Sequence, residues 1–182
     1  MLKSAKYIDD NIIITDEINT HRLGKPAQVG WDCSIKSIER IDSPGMVLKD
    51  KTYAPTTTPL AKIEFEDPAD NKHIGWFIEK GTYIIKLNEG CSFGPNDNGL
   101  FILRSSLNRS GVSIHSALWD CGYTSRDGDE IFPMSIRMTV ENDMGFYLEE
   151  DARVAQMIVL EGEDTTLYNG QWMGGRTQSK LV

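Results

Sequence analysis

The densest group of anion-binding side chains follows an apolar segment in the middle of the sequence. Arg104, Ser105 and Ser106 come directly after the apolar stretch 100–103, and Arg109 follows them. A strand that ends in a turn of small hydroxyl residues brings together backbone N–H groups, hydroxyl donors and a guanidinium, which are the donors that a polyphosphate needs. The alternative interpretation is a serine N-cap beside solvated arginines.

A second segment places a carboxylate among aromatic and small residues. Asp120 follows Trp119 and precedes a Cys-Gly turn that leads to Tyr123. A carboxylate in such a place could orient a water molecule and accept its proton. The alternative is a hairpin in which the aspartate caps its own turn.

Two further segments carry polar groups at the start of predicted strands. Asp32 follows a Gly-Trp pair, where its carboxylate could hold a metal-bound water or cap a turn. Arg153 and Gln156 open an apolar strand, where they are either donors to a ligand or simply a polar strand entrance.

The elements that must position these residues are typical of β structure. Short apolar or alternating runs predict strands, and clusters of Gly, Pro, Asn and Asp between them predict turns, for example at 94–99. Many short strands at this spacing indicate a sandwich, jelly roll or closed barrel. Helical character is limited to the N-terminus and the region 106–110, and the apolar run 12–14 fits either a helix end or an edge strand. The predicted strands are Cys33–Ile41, Ala61–Phe65, Gly75–Ile78, Thr82–Leu87, Leu100–Leu103, Met134–Val140 and Val154–Leu160.

Composition narrows the class of protein. The 182 residues predict one main domain, and 40% hydrophobic residues are sufficient for a core. We expect an intracellular, cytoplasmic protein without a membrane segment, because no apolar run suits a signal peptide or reaches the ~18 residues that span a bilayer. A net charge of −8 argues against binding to polymeric nucleic acid. Three dispersed cysteines predict buried thiols rather than a zinc site or disulfides.

The order of the motifs is more specific than any one of them. Gly-Trp-Asp, Arg-Ser-Ser-Leu, Ala-Leu-Trp-Asp-Cys-Gly-Tyr, Arg-Val-Ala-Gln and a tail with Gly, Trp and Arg follow one another across residues 28–176. This order resembles the five motifs of trimeric dUTPases and their relatives, the dCTP deaminases. The resemblance implies a mainly β fold, a distorted jelly-roll or β-barrel of the dUTPase type with few short helices. It also implies that this domain covers 1–168 and that a flexible C-terminal arm covers 169–182.

The resemblance implies hydrolysis of dUTP to dUMP and pyrophosphate. Asp120 matches the acid that activates the hydrolytic water, and Tyr123 matches the aromatic residue under the deoxyribose. The backbone of Ala117 and Leu118 would meet the pyrimidine edge.

The other motifs imply phosphate contacts. By the same resemblance, Arg104, Ser105 and Ser106 bind phosphate, and Gln156 makes a second phosphate contact supported by Arg153.

The resemblance further implies a metal, an arm and an assembly. Asp32 would hold Mg²⁺ through water, and the Mg²⁺ would arrive on the triphosphate. Trp172 would cover the base, and Arg176 would reach the outer phosphates. The family builds each site from neighbouring subunits, which implies a homotrimer.

Several positions depart from the dUTPase pattern. Ile114 stands where dUTPases usually carry an asparagine that reads uracil, and either His115 or Ser116 could take over that role. The segment Thr124–Pro133 is longer than the usual turn. The choice among dUTP, dCTP and a modified pyrimidine nucleotide therefore stays open.

Two alternative functions follow from these departures. A dCTP deaminase, or a bifunctional deaminase and dUTPase, needs a glutamate after the third motif. One alignment puts Arg137 or Thr139 there, an ungapped count gives Glu130, and Glu141 is one or two positions away. Hydrolysis without deamination is therefore favoured. A non-catalytic regulator of the same fold is the other alternative, and the intact Asp120 argues against it.

Overall fold

The computed structural model describes residues 1–15, 29–123, 125–126 and 130–163. These residues contain two short helices, α1 (Ala5–Asn11) and α2 (Ser105–Arg109). The first eight strands are β1 (Ile13–Thr15), β2 (Trp31–Ile41), β3 (Met46–Val47), β4 (Thr52–Tyr53), β5 (Thr57–Pro59), β6 (Ile63–Glu66), β7 (Lys72–Ile78) and β8 (Gly81–Ser92). The next seven are β9 (Asp97–Leu103), β10 (Val112–His115), β11 (Ser125–Arg126), β12 (Glu130–Ile131), β13 (Pro133–Val140), β14 (Phe146–Glu149) and β15 (Arg153–Glu161).

One large antiparallel sheet surrounds the core. Its strands follow the order β10-β13-β8-β2-β15-β9, with β1 added to β8 and β5 added to β2. The two outer strands, β9 and β10, contact each other, so that the sheet is a nearly closed barrel. The mainly β, barrel-like fold expected from the sequence is therefore confirmed.

Alternating burial shows why these segments form strands. On β13 the buried Met134, Ile136 and Met138 alternate with Ser135 and Arg137, which point away from the core. A strand with one buried face has this period of two. Each fully buried large apolar side chain stabilises the fold by about 1.5–3 kcal/mol.

The N-terminal apolar run serves both as a helix end and as a strand. Helix α1 begins after Ser4, whose Oγ accepts a hydrogen bond from the backbone N–H of Tyr7 at 3.2 Å. Ile12 ends the helix, and the extended backbone continues into β1, which pairs with β8. The two possibilities that the sequence left open are thus both present, in succession.

Several strand boundaries and several short strands differ from the sequence prediction. β9 begins at Asp97, inside the predicted turn, because the Tyr7 hydroxyl donates to the buried Asp97 carboxylate at 3.0 Å. β8 continues to Ser92, beyond the predicted end at Leu87. Among the described residues, seven short strands were not predicted, because each carries too few residues to show a period: β3, β4, β5, β10, β11, β12 and β14.

A smaller sheet, β14-β7-β6, covers one part of the core. Its inner face buries Trp76 and Leu148. On its outer face Tyr147 contacts two other rings, with centroid distances of 5.0 Å to Phe65 and 4.9 Å to Phe77.

A histidine on β7 joins β14 and the turn that follows β6. His73 Nδ1 lies 3.0 Å from Glu149 Oε1, and Nε2 lies 3.3 Å from Asp67 Oδ2. Hydrogen bonds to Glu149 and to Asp67 raise the pKa of His73 above its usual value. Protonated His73 therefore stabilises the contact between these elements.

The three cysteines are buried thiols, as the sequence predicts. Burial raises the pKa of Cys33 and of Cys91 well above the usual thiol value. Among the helices described, none is both long and apolar enough to cross a membrane.

Candidate active site

Two arginines from separate motifs bind one carboxylate. The side chains of Arg104 and Arg153 each donate through Nη1 to Oδ2 of Asp32, the latter at 2.9 Å. All three side chains are partly buried, with exposed fractions between 21% and 31%. We call these three residues the arginine cluster.

The barrel topology explains this convergence. Asp32 lies on β2, Arg153 opens β15, and Arg104 follows the last residue of β9. Because β15 lies between β2 and β9, three motifs that are distant in the sequence meet at one end of three neighbouring strands. The sequence predicted each residue as a site candidate, and the structure brings these three together.

Gln156 lies beside the cluster on the same strands. Its backbone is opposite Asp32 on β2 and opposite Ile102 on β9. Its side-chain amide donates to the backbone carbonyl of Val29. Gln156 thus anchors the chain that leads into β2, and it is close enough along the ladder to share a ligand with Asp32.

The segment after β9 differs from the serine-cap interpretation. Arg104, and not a serine, occupies the N-cap of α2, and its side chain binds Asp32 instead of capping the helix. Ser105 and Ser106 are exposed in the first turn, where both hydroxyls are accessible to a ligand. Leu107 fixes the segment because it is buried in the core.

Asp120 lies in a tight loop that is held by its neighbours. Trp119 forms a two-bond bridge with Gly99, with N···O distances of 2.8 and 2.9 Å. The Asp120 carbonyl accepts from the N–H of Tyr123 at 3.1 Å, which closes a turn through Gly122 at a φ of +82°. This positive φ favours glycine. The Asp120 side chain is half-buried.

Aromatic packing makes this loop rigid. The ring of Trp119 contacts Phe101 at 5.5 Å and Tyr123 at 4.7 Å between centroids, both in edge-on orientation. Trp119 is buried, and Tyr123 is half-buried and packs against the core. Tyr123 therefore presents part of its ring to a ligand while the rest supports the loop.

A cavity of about 670 Å³ lies beside the loop. Ala117, Leu118 and Tyr123, which the sequence analysis singled out, line it. The cavity lies on the outer face of the barrel sheet and also involves the hairpin β3-β4. Its polar lining includes Glu39, Lys86, His115, Ser116 and Arg137.

The charged groups of the cavity are partly paired. Lys86 Nζ lies 2.7 Å from Glu39 Oε1, and Thr57 Oγ1 donates to Glu39 Oε2 at 2.6 Å. His115 lies opposite Arg137 in the β10-β13 ladder. Both exposed side chains face a ligand that enters the cavity.

The Asp120 loop and the arginine cluster lie apart within one chain. Trp119 pairs with Gly99 near the beginning of β9, whereas Arg104 follows the end of that strand. Five residues at the rise of a strand correspond to about 16 Å. A single chain therefore presents the acid and the cluster as two separate half-sites.

A buried polar network behind the cluster was missed by the sequence analysis. It consists of Ser34, Asn88, Glu89 and Asp151, which hydrogen-bond to one another. Burial raises the pKa of Glu89 to about 7, while hydrogen bonds from Ser34 oppose that rise. A glutamate within the apolar part of β8 was the available signal, because a charged residue at an inward position requires partners.

The structure describes Asp32 but not the residues of the arm. Trp172 and Arg176, together with the whole arm 169–182, lie outside the described residues. Within the described ranges, no group of three acidic, histidine or cysteine side chains could hold a metal ion by itself. Asp32 has a second carboxylate oxygen, Oδ1, beside the one that accepts from the arginines.

Comparison with known proteins places the chain among nucleotide-processing proteins. No family model matches it. A probable deoxyuridine 5'-triphosphate nucleotidohydrolase of Halobacterium salinarum is 29% identical over 151 residues, which cover 83% of this chain and 84% of that protein. The protein of the same name from Methanosarcina acetivorans is 30% identical over 153 residues, covering 82% of this chain and 81% of the relative.

A solved structure shows the same fold. The 2'-deoxycytidine 5'-triphosphate deaminase of Agrobacterium tumefaciens matches with a TM-score of 0.55 and 14% identity. The match covers 88% of this chain and 48% of the deaminase chain. The motif order, the barrel and these relatives agree, and the chain belongs to the dUTPase and dCTP deaminase superfamily.

Proposed function

We propose that the protein hydrolyses dUTP to dUMP and pyrophosphate. The observation that carries this proposal is the arginine cluster, in which Asp32, Arg104 and Arg153 from three motifs meet at one carboxylate oxygen. The relatives named as probable deoxyuridine triphosphate nucleotidohydrolases support the same substrate.

The cluster suits a triphosphate for electrostatic reasons. Within the cluster, two guanidiniums face a single carboxylate, so that one positive charge is not neutralised by Asp32. Each guanidinium has five N–H donors and uses one nitrogen on Asp32, so that other donors remain for phosphate oxygens. Asp32 holds both planar groups in a fixed orientation before the substrate binds, which lowers the entropy cost of binding.

Asp120 is the proposed general base. Its carboxylate accepts a proton from a water molecule whose oxygen attacks the α-phosphorus. The new P–O bond forms as the bond between the α-phosphorus and the α,β-bridging oxygen breaks, and that electron pair leaves with pyrophosphate. Such a reaction depends chiefly on positioning and on neutralising charge, and little on covalent help from the protein.

The proposed cofactor is Mg²⁺, and the donor set fits it. A hard cation of this kind keeps several waters and binds through one or two carboxylates together with substrate phosphates. Asp32 supplies one such carboxylate, and its Oδ1 is the oxygen that accepts from neither arginine. When bound, Mg²⁺ would neutralise charge on the phosphate chain.

The proposed assembly is a homotrimer. Its support is the separation of the Asp120 loop from the arginine cluster within one chain, because one bound nucleotide needs both. A neighbouring copy would bring its own loop to the cluster and complete the site.

We further propose that the substrate's base and sugar bind in the cavity. Ala117 and Leu118 would meet the pyrimidine edge, and Tyr123 would pack under the deoxyribose. Trp172 and Arg176 would close over the base and the outer phosphates from the arm.

One incubation distinguishes this function from its alternatives. The purified protein is mixed with Mg²⁺ and with dUTP, dCTP or dTTP separately, and the products are resolved by ion-exchange chromatography. Formation of dUMP and pyrophosphate from dUTP supports the proposal. Conversion of dCTP to dUTP identifies a deaminase, and tight nucleotide binding without products identifies a regulator.

The described part of β13 favours hydrolysis over deamination. Arg137 lies opposite His115, and Thr139 lies opposite Ser113. On β13 itself, therefore, neither of the two aligned positions for the deaminase glutamate carries a carboxylate, whereas the ungapped candidate Glu130 lies on β12. Glu141 follows the end of β13 and accepts a hydrogen bond from Ser113 at 3.1 Å.

A further inference from the structure

A completely buried carboxylate lies behind the arginine cluster. Glu89, on β8, is 1% exposed, and its two oxygens accept from the backbone N–H and the hydroxyl of Ser34, each at 2.8 Å. Placing an ionisable group in the core is costly unless hydrogen bonds compensate for the loss of water. A buried carboxylate is therefore a poor source of net stability, and fixing the positions of its hydrogen-bond partners is the other role open to it.

Asn88, next to Glu89, links Ser34 to the turn that contains Asp151. Its side-chain amide donates to Ser34 Oγ at 3.0 Å, to the carbonyl of Ile35 at 3.1 Å and to Asp151 Oδ1 at 2.9 Å. Asp151 has a φ of +58°, in the left-handed region that favours glycine. Asn88 therefore holds a strained residue in place.

That strained turn leads directly to the functional arginine. Arg153 follows Asp151 by two residues and lies opposite Ser34 in the ladder between β15 and β2. The backbone N–H of Ile35 donates to the carbonyl of Ala152 at 3.0 Å, and the ladder shifts register immediately after Arg153. This turn and its hydrogen-bond partners on β2 therefore set the direction in which the Arg153 side chain points.

We propose that Glu89 is a positioning residue for Arg153, and that through Ser34 and Asn88 it fixes the turn that brings this guanidinium to Asp32 and to the substrate's phosphates. The inference deepens the proposed function and rests on it, because it takes Arg153 to be a phosphate ligand. Glu89 itself touches no substrate, since it is enclosed by the barrel.

The chemistry of Ser34 explains why a carboxylate is needed here. Its N–H and its hydroxyl both act as donors towards β8, and the hydroxyl is also the acceptor for Asn88. An ionised carboxylate offers two acceptors at once. A glutamine of nearly equal shape keeps one acceptor for the Ser34 N–H, but its amide N–H₂ would donate to Ser34 Oγ. The Ser34 hydroxyl would then lose the acceptor for its own proton and would have to rotate away from β8.

The test compares Glu89→Gln with Tyr7→Phe. This control also perturbs a hydrogen bond to a buried carboxylate, but at the other end of the barrel strands. Tyr7→Phe removes the hydroxyl that donates to the buried Asp97, and Asp97 pairs with Glu161 at the far end of β15. Glu161 lies eight residues from Arg153, or about 26 Å along the strand. Tyr7→Phe is therefore a control for loss of a partly buried hydrogen bond to a carboxylate without an effect on the cluster.

Binding is measured by calorimetry with two separate probes, magnesium tripolyphosphate and deoxyuridine, and unfolding by urea. We expect Glu89→Gln to weaken tripolyphosphate binding about tenfold and to change deoxyuridine binding less than twofold. We expect Tyr7→Phe to lower stability without weakening either ligand. Ser34→Ala keeps the backbone hydrogen bond to Glu89 and should weaken tripolyphosphate binding by a smaller factor. This variant replaces Glu89→Gln in the test if Glu89→Gln does not fold.

The outcomes separate this inference from the proposed function. Wild-type affinity for tripolyphosphate in both Glu89→Gln and Ser34→Ala overturns the inference, as does a wild-type chain that does not bind tripolyphosphate. Equal weakening of tripolyphosphate and deoxyuridine also overturns it. If the wild type does not hydrolyse dUTP while Glu89→Gln selectively weakens tripolyphosphate, the proposed reaction fails and the positioning role of Glu89 stands.

Discussion

Arg153 binds Asp32 along a diagonal of the ladder and not across it. The two residues lie on adjacent antiparallel strands, but the backbone of Arg153 faces Ser34, and its Nη1 reaches back along β2 to Oδ2 of Asp32 at 2.9 Å. Diagonal neighbours in a sheet are within reach of long side chains. Gln156 occupies the position directly opposite Asp32. The strands β2 and β15 therefore place three polar side chains next to one another, those of Asp32, Arg153 and Gln156.

Replacing Arg104 by lysine tests whether the planar guanidinium matters. A lysine keeps the charge but loses the fork of donors that can bind Asp32 and a phosphate together. We expect kcat/KM for dUTP to fall about 10- to 100-fold, which corresponds to about 1.4–2.8 kcal/mol. Arg40→Lys is the matched control, because Arg40 pairs with Asp42 on an exposed surface. Equal kinetics of the two variants would remove Arg104 from the site.

Replacing Asp120 by asparagine tests the general base. The amide keeps the shape of the side chain but cannot accept the proton of the water, so that kcat should fall by about 10²–10⁴. Binding of a non-hydrolysable dUTP analogue should remain nearly unchanged. Asp143→Asn is the control, because Asp143 is exposed and pairs with Lys80. Full turnover by the Asp120 variant would assign the base to another residue.

The half-sites described above predict an oligomer. Light scattering at micromolar concentration should give the mass of three 20.4 kDa chains. Mixing an inactive Asp120→Asn chain with an inactive Arg104→Ala chain should restore part of the activity, because some sites then combine an intact loop with an intact cluster. A fully active monomer would contradict both the trimer and the shared site.

Deletion of the residues after Tyr168 should leave folding intact but abolish most of the turnover. The deleted residues include Trp172 and Arg176, which the resemblance assigns to the base and the outer phosphates. We expect the shortened protein to fold and assemble while kcat collapses, with a smaller loss of substrate affinity, because closing a site excludes water and orients the phosphates. Normal turnover by the shortened protein would show that the arm has no catalytic role.

The bridge through His73 predicts a stability that depends on pH. Its pKa is raised in the folded state by Glu149 and Asp67, so its contribution is complete below the unfolded value near 6.5 and is lost as pH rises through the raised value. Hydrogen bonds from Asn71 lower the pKa of Asp67, which stays ionised across this range.

Urea unfolding of the wild type and of His73→Gln at several pH values between 5.5 and 8.5 measures this effect. The difference in unfolding free energy between the two proteins should shrink as pH increases. His115→Gln is the control, because His115 is exposed and lies on a different sheet. A difference that stays constant with pH would mean that His73 does not carry its charge in the fold.

Alternation along single strands was sufficient to predict much of the fold. β2, β13 and β15 were predicted because their apolar residues follow the period of a strand with one buried face. β14 was missed because four residues after a Gly turn carry too little pattern. The start of β9 was predicted as a turn, because Asp97 and Asn98 are common turn residues and only the tertiary contact with Tyr7 buries the first of them.

The sequence predicted which residues are site candidates, but not which of them contact one another. Motif order identified Asp32, Arg104 and Arg153, whereas their meeting at one oxygen depends on strand register and on a bulge that no local pattern encodes. Glu89 was overlooked for a related reason. Charged residues in strands usually face water, and only the closed barrel turns this one inward.

The burial of the cysteines has a practical consequence for spectroscopy. Cys33, Cys91 and Cys121 are all the cysteines of the chain, and each is buried in the folded protein. Burial raises the pKa of Cys33 and Cys91, so that little thiolate is present to react with a maleimide. A single cysteine introduced into the arm should therefore accept a fluorophore selectively in the otherwise native sequence, and its signal would report arm closure without prior removal of any thiol.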